Sequence, residues 1–340
     1  MTTAPTISPS TQMMQMITCF WTSCCIYNAA KLNVADLLHK EVMSCDQLAE
    51  ATHTDASSLY RMMRALASVG IFSENENGEF SNTTLSETLR SDQPGSMKAM
   101  AIAQLGDHYP AWGNLLYSLK TGNTAFEKVE GMNVWKYYET HPEEGLNFMK
   151  AMTGSTNAAI QNVIPMYDFS SAKTIVDIGG GNGAFLMAVL EKAPQAKGIV
   201  FDEEYVVDET LKKIEEHGFS KNCSVSAGNF FEAVTAGADL YLMKHVLHDW
   251  NDEQSEQILM NCSKAMHEGS KILVIEAVIP KGNTGHPGKF MDINMMAMTG
   301  GKERTEAEYA SLFANSGLKL ERVIYTNSPT LSILEVTKAK

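Results

Sequence analysis

The sequence predicts an α/β chain: a parallel sheet in its second half, closed at one edge by an antiparallel C-terminal hairpin, preceded by a helical module of winged-helix type. Three observations predict it. Beyond residue 172 short β-rich runs alternate with helical stretches, the pattern that winds a parallel sheet. A glycine-rich turn, Gly179-Gly180-Gly181-Asn182-Gly183, leaves the first of those runs and enters a helix. Before residue 95 the signals are capped helices and one hairpin.

Taken in order, the Ser-, Thr- and Pro-rich opening over 1–12 reads as a flexible tail. Residues 13–31 predict an apolar helix, and Val34–Leu38 a second. Ser44 and Gln47 form a capping box before Leu48. Asp55 caps a helix over Ser57–Val69 whose Leu59, Met62, Met63, Leu66 and Val69 share one face, and Gly70 ends it. The run Ile71–Thr83 reads as a hairpin around Asn77-Gly78. Residues 97–166 are helical and aromatic, with Trp135, Met149 and Met152 as candidate pocket residues. Strands are expected at 173–179, 198–202, 223–228, 239–246 and 271–279, with helices at 184–193, 205–217 and 252–267. Leu320–Tyr325 and Thr330–Val336 complete the sheet as the antiparallel edge hairpin.

Charge excludes several function classes. Forty acidic residues against 27 basic ones give a net charge of −13, a field that repels nucleic-acid backbones and anionic membranes. Winged helices often read DNA, yet between Ser44 and Asp92 three basic residues (Arg61, Arg64, Arg90) face eight acidic ones. That balance favours a packing or dimerisation role. No apolar run approaches the ~18 residues of a membrane helix, and the first basic residue is Lys31, so a cytoplasmic chain without a targeting segment is expected. The cysteines at 19, 24, 25, 45, 223 and 262 form no CxxC pair, so reduced thiols and no metal site are expected.

The glycine turn and two acids point to an adenosine-type cofactor. Asp177 precedes the turn at the strand end, and Asp202 ends the next strand, where a carboxylate can accept from two ribose hydroxyls. Gly179-x-Gly181-x-x-Ala184 also fits a loose dinucleotide pattern, so NAD stays open on the glycines alone. One crevice should also receive the fourth strand's end, with His245, His248 and Asp249. A neutral imidazole suits proton abstraction from a hydroxyl, and a carboxylate beside it fixes the tautomer. Glu276, alone in an apolar strand, and Glu303, after Gly300-Gly301-Lys302, are positioned for that.

In chain order the winged-helix start, VDIGGGNG, FD at 201–202, GNFF at 228–231, LMKHVLHDW at 242–250, IEAVIP at 275–280 and GGKERT at 300–305 closely resemble the plant caffeate and acetylserotonin-type O-methyltransferase family. The resemblance runs from about Met13 to Val336. It implies a Rossmann-like class I methyltransferase domain that uses S-adenosylmethionine, gives S-adenosylhomocysteine, and methylates a hydroxyl of a small aromatic molecule. It implies that His248 is the general base flanked by Glu276 and Glu303. It places Asp177, Gly179, Gly181, Asp202, Asn229, Phe230 and Lys244 on the cofactor, and Met152, Asp249, Asn294 and Met295 around the acceptor. It implies a homodimer with a dimerisation domain over 13–105, a helical connector over 106–166 and a catalytic domain over 167–340. The chain departs from the family pattern at Asn229, usually Asp, and at Asn182, usually a small hydroxyl residue. Methyl transfer to N, S or C, and a non-catalytic cofactor sensor, are the alternative readings.

Overall fold

A computed structural model describes residues 7–339. Of the expected tail, residues 1–6 lie outside the described residues, while 9–12 are already helical. Ser8 is an N-cap whose hydroxyl accepts from Thr11 N–H, and Pro9 occupies the first turn, so a pair that reads as loop chemistry starts the helix Pro9–Thr18. The expected single helix over 13–31 is two, because the chain breaks at Cys19 before Phe20–Lys31.

The chain divides into two compact units: Met1–Pro110 with Tyr138–Gly154, and Ala111–Tyr137 with Ser155–Lys340. The expected connector over 106–166 is therefore shared between the two units. In the first unit the capping box at Ser44 and Gln47 forms as expected. Asp55 caps the helix Ala56–Ser68 through the Ser58 N–H. Val69 lies past that helix and is 53% exposed, so it leaves the apolar face that Leu59, Met63 and Leu66 bury. Strands Phe72–Glu74 and Glu79–Asn82 form the wing, turning through Gly78 at φ +74°. Met43–Ser44 adds a third, unexpected strand on its free edge.

The second unit carries a seven-stranded sheet in the spatial order Cys223–Ala227, Lys197–Asp202, Thr174–Ile178, Leu240–Lys244, Lys271–Glu276, Ser332–Lys338, Leu318–Tyr325. The first five are parallel; the last two form an antiparallel hairpin whose inner strand pairs with Lys271–Glu276. Alternate residues feed opposite cores: Ile175, Leu242 and Leu273 on one face, Val176, Met243 and Val274 on the other. Burial on both faces explains the apolar runs of these strands. Strand order reverses between Thr174–Ile178 and Leu240–Lys244, which opens a crevice at their carboxyl ends. Among the described residues, no helix is long and apolar enough to cross a membrane.

Candidate active site

At the reversal point the glycine turn adopts backbone that only glycine takes cheaply, with Gly179 at φ +66° and Gly181 at φ +56°. Gly181 N–H donates to Asp202 Oδ2 at 2.7 Å, so the turn and the acid of the next strand are already joined. Glu203 N–H takes the other oxygen at 2.8 Å. Burial raises the Asp202 carboxyl despite these two donors. Asp177 is buried beside the turn, Oδ2 lacks a hydrogen-bond partner, and burial, against the pull of Lys244, pushes its pKa up to about 7. A Cβ on Gly180 would fall 2.9 Å from that Oδ2, while one on Gly181 would meet nothing within 4 Å. The turn is thus tight behind and open in front.

This cradle suits a cationic adenosyl cofactor. Its titratable groups are the carboxyls of Asp177 and Asp202 and the amine of Lys244, whose pKa burial lowers against the attraction of Asp177. A pyrophosphate would meet the repulsion of both acids. Asn229 Oδ1 accepts Phe231 N–H at 2.9 Å, so an adenine would meet the amide's NH2 donor or the oxygen's remaining lone pair. Phe230 packs edge-on against Phe231 (4.9 Å) and Trp250 (6.0 Å).

The fourth strand ends earlier than expected, at Lys244, because His245 takes the left-handed conformation (φ +54°). The chain then tightens into the 3₁₀ turn Leu247–Asp249 that carries His248. Glu276, at the end of the neighbouring parallel strand and 0% exposed, receives that turn: its Oε1 accepts Val246 N–H at 2.9 Å, Leu247 N–H at 3.0 Å and His248 N–H at 3.4 Å. Burial pushes the Glu276 pKa up to about 7, against the pull of His248 and of the Val246 N–H. Its Oε2 lies 3.6 Å from His248 Nδ1. The shorter contact belongs to Glu303, whose Oε1 stands 2.9 Å from Nδ1. Glu303 thus grips the ring and Glu276 shapes the turn beneath it, a division that the sequence did not separate. Asp249 Oδ1 stands 3.8 Å from Nε2. His245 packs its ring 5.0 Å from that of His248, and burial, Lys244 and His248 push its pKa well down, so it remains neutral.

Burial lowers the imidazole pKa, but Glu276, Asp249 and Glu303 outweigh it and push His248 up to about 10. Burial raises Asp249 to about 6 against the pull of His248. Raised above its ordinary 6.5, His248 contributes stability that is complete below that value and is lost as pH rises towards about 10. The thermal midpoint of the parent protein should therefore fall from about pH 7 to about pH 10 more steeply than that of His248→Ala, measured by calorimetry. Equal slopes would assign the proton to another group.

Asn294 and Met295 lie on the helix Gly288–Met298, which packs on the His248 turn. Asn294 Oδ1 accepts from Trp112 Nε1 at 2.8 Å across 182 positions, a pairing no local pattern could disclose. Trp135 stacks on Trp250 at 6.2 Å. Asp292, on the same helix, accepts Glu303 N–H at 2.9 Å and was also missed. Met152 and Met149 lie in the first unit, so the residues brought together in the second do not include them.

Comparison with known proteins shows the family. The family model described as the O-methyltransferase domain matches residues 112–319, and that described as the O-methyltransferase dimerisation domain matches 14–92. A phenazine O-methyltransferase of Lysobacter antibioticus is 40% identical over 331 residues, 97% of this chain and 96% of that protein. A mitomycin biosynthesis 6-O-methyltransferase of Streptomyces lavendulae is 34% identical, covering 94% and 92%. An O-methyltransferase from neocarzinostatin biosynthesis, solved with S-adenosylmethionine and 2-hydroxy-5-methyl naphthoic acid, superposes with a TM-score of 0.86 at 29% identity over 99% of this chain and 100% of that one.

Proposed function

The chain belongs to the O-methyltransferase family, and on that premise we propose that it methylates a phenolic or enolic hydroxyl of a small aromatic molecule, with His248 as general base. When bound, S-adenosylmethionine supplies an electrophilic methyl carbon on a positively charged sulfur. Asp177, Gly179 and Gly181 would hold its amino-acid and ribose portions, Asp202 the ribose hydroxyls, Asn229 and Phe230 the adenine, and Lys244 the neighbouring edge. Asp249, Asn294 and Met295 would line the acceptor.

The observation that carries the reading is the Glu303–His248 contact. With Nδ1 engaged by Glu303, Nε2 is the ring nitrogen left to take a hydroxyl proton. The imidazolium so formed is stabilised by Glu303, Glu276 and Asp249. Matching an imidazole raised to about 10 with a phenol of ordinary pKa near 10 makes the proton transfer almost thermoneutral. The acceptor oxygen, stripped of its proton beside that cation, becomes the nucleophile, and rate arises mainly from alignment and exclusion of water.

Within the family, the motif order shared with the plant caffeate and acetylserotonin-type enzymes supports this assignment of roles. We also infer a cytoplasmic homodimer. The dimerisation-domain match and a first helix exposing Met13, Met14, Met16 and Ile17 support the pairing, and the acidic balance of the winged module argues against nucleic acid. Calorimetric titration tests the cofactor: micromolar binding of S-adenosylmethionine and S-adenosylhomocysteine with none of NAD is expected. Binding of NAD, or of none of the three, would overturn the reading.

A further inference from the structure

A buried cation stands directly behind the catalytic turn. Arg304 is 0% exposed, and a guanidinium in that position is costly unless its donors are all met. Nε donates to Asp252 Oδ1 at 2.9 Å. Nη1 donates to the carbonyls of Leu247 (3.0 Å) and Lys302 (3.3 Å), and Nη2 to the Trp250 carbonyl (3.0 Å) and Ser255 Oγ (3.1 Å). Leu247 and Trp250 bracket His248 and Asp249, so one rigid fork spans the turn from end to end. Ser255 Oγ reinforces the grip, its single proton shared between the same two carbonyls, each at 3.3 Å. The backbone of Arg304 is anchored in turn, through a bridge to Val278 and an Ile279 N–H bond of 3.0 Å to its carbonyl.

The arrangement exceeds what packing requires. An apolar side chain could fill this space, but it would leave the Leu247 and Trp250 carbonyls without these donors. The preceding residue, Glu303, holds His248 Nδ1, so two consecutive side chains fix ring and turn together. Glu276 draws the turn's N–H groups from one side while Arg304 draws its carbonyls from the other.

We propose that Arg304 is a positioning residue for His248: its fork holds the Leu247 and Trp250 carbonyls so that Nδ1 meets Glu303 and Nε2 is aimed at the acceptor oxygen. Lysine cannot substitute, because a point ammonium lacks the planar pair of donors that spans both carbonyls. The proposal rests on His248 as the base, but its direct readout does not. Titration of His248, followed by NMR of labelled histidine, reports the Glu303 contact whether or not the enzyme turns over.

In Arg304→Lys the His248 midpoint should move down towards its ordinary value. The kcat should drop about 10- to 100-fold, the loss expected from a misplacement of about 1 Å, with the KM for S-adenosylmethionine within about twofold of the parent. A folded Arg304→Lys variant whose His248 titrates as in the parent would overturn the proposal, even with kcat reduced, since a purely structural role produces that result. Should Arg304→Lys fail to fold, Asp252→Asn decides: its side chain is 55% exposed, and it removes the charge that orients the fork. A smaller shift of His248 in the same direction, with about three- to tenfold lower kcat, is expected there. An unshifted titration in Asp252→Asn, or an equal shift in Lys302→Ala, which removes the other cation on Asp252, would overturn the assignment. If His248→Ala retained full turnover, the base reading would fail while the effect of Arg304 on the titration stood.

Discussion

Replacing His248 by alanine is expected to lower kcat by about 10²- to 10⁴-fold, the range for loss of a positioned general base, while affinity for S-adenosylmethionine stays within about twofold. The cofactor cradle explains the second half of that expectation: Gly181, Asp202 and Asp177 are held by the glycine turn and its neighbouring strands. The pH dependence gives the sharper signature. The reacting pair must shed one proton, and His248, pushed up to about 10, keeps it at neutral pH. In the parent, kcat/KM should therefore rise with pH between about 7 and 9, and that limb should be missing in the variant. Steady-state kinetics on a phenolic acceptor checks both. Near-full turnover in His248→Ala would show that the acceptor enters already ionised.

Gly301→Ala should damage both stability and turnover, although Gly301 bears no functional group. A Cβ there would stand 2.0 Å from the His248 carbonyl oxygen, 2.5 Å from the Asp249 carbonyl carbon and 2.7 Å from Trp250 N. These are backbone atoms of the turn that carries His248, so relief requires the turn itself to shift. A stability loss of about 3 kcal/mol and a kcat reduced about 100-fold are expected. Gly300→Ala supplies the comparison: φ +81° makes a side chain strained, but its Cβ would approach only Thr124 Cγ2, at 3.3 Å. Its cost should stay near 1–2 kcal/mol with catalysis largely retained. Calorimetric midpoints and single-turnover rates on both variants check the order; the reverse order would refute the account of Gly301.

What the sequence disclosed followed from how far each signal reaches. Capping at Ser44 and Asp55, the hairpin at Gly78 and the alternation of strands with helices are each set by a few adjacent residues, and all appear where expected. His248 and Glu276 also come together, because a parallel sheet delivers its strand ends to one edge, and Glu303 reaches them from the loop after the helix Gly288–Met298. Less legible was how those three divide their contacts. Whether Glu276 or Glu303 holds the ring depends on side-chain directions at positions 27 apart, and the 2.9 Å contact with Glu303 has no local signature. The same applies to Trp112 on Asn294 and to Gly301, whose need for glycine arises from backbone remote in the chain. Local cues misled at Ser8-Pro9, where loop chemistry starts a helix, and at His245, whose left-handed backbone ends a strand that composition would extend.

His248 is fastened by the strand-end residue Glu276 and by the stretch 300–304, whereas Met291, Met295 and Met298 sit on the separate helix Gly288–Met298, which touches that fastening through the Asp292 carboxylate. On the roles proposed above, substitutions on the face of that helix turned away from the Leu247–Asp249 turn would reshape the acceptor site while leaving the His248 contacts in place, provided Asp292 persists. Such a partition makes the fold evolvable: new aromatic scaffolds become accessible by exchanging flexible thioethers for other apolar side chains while the chemistry is inherited intact.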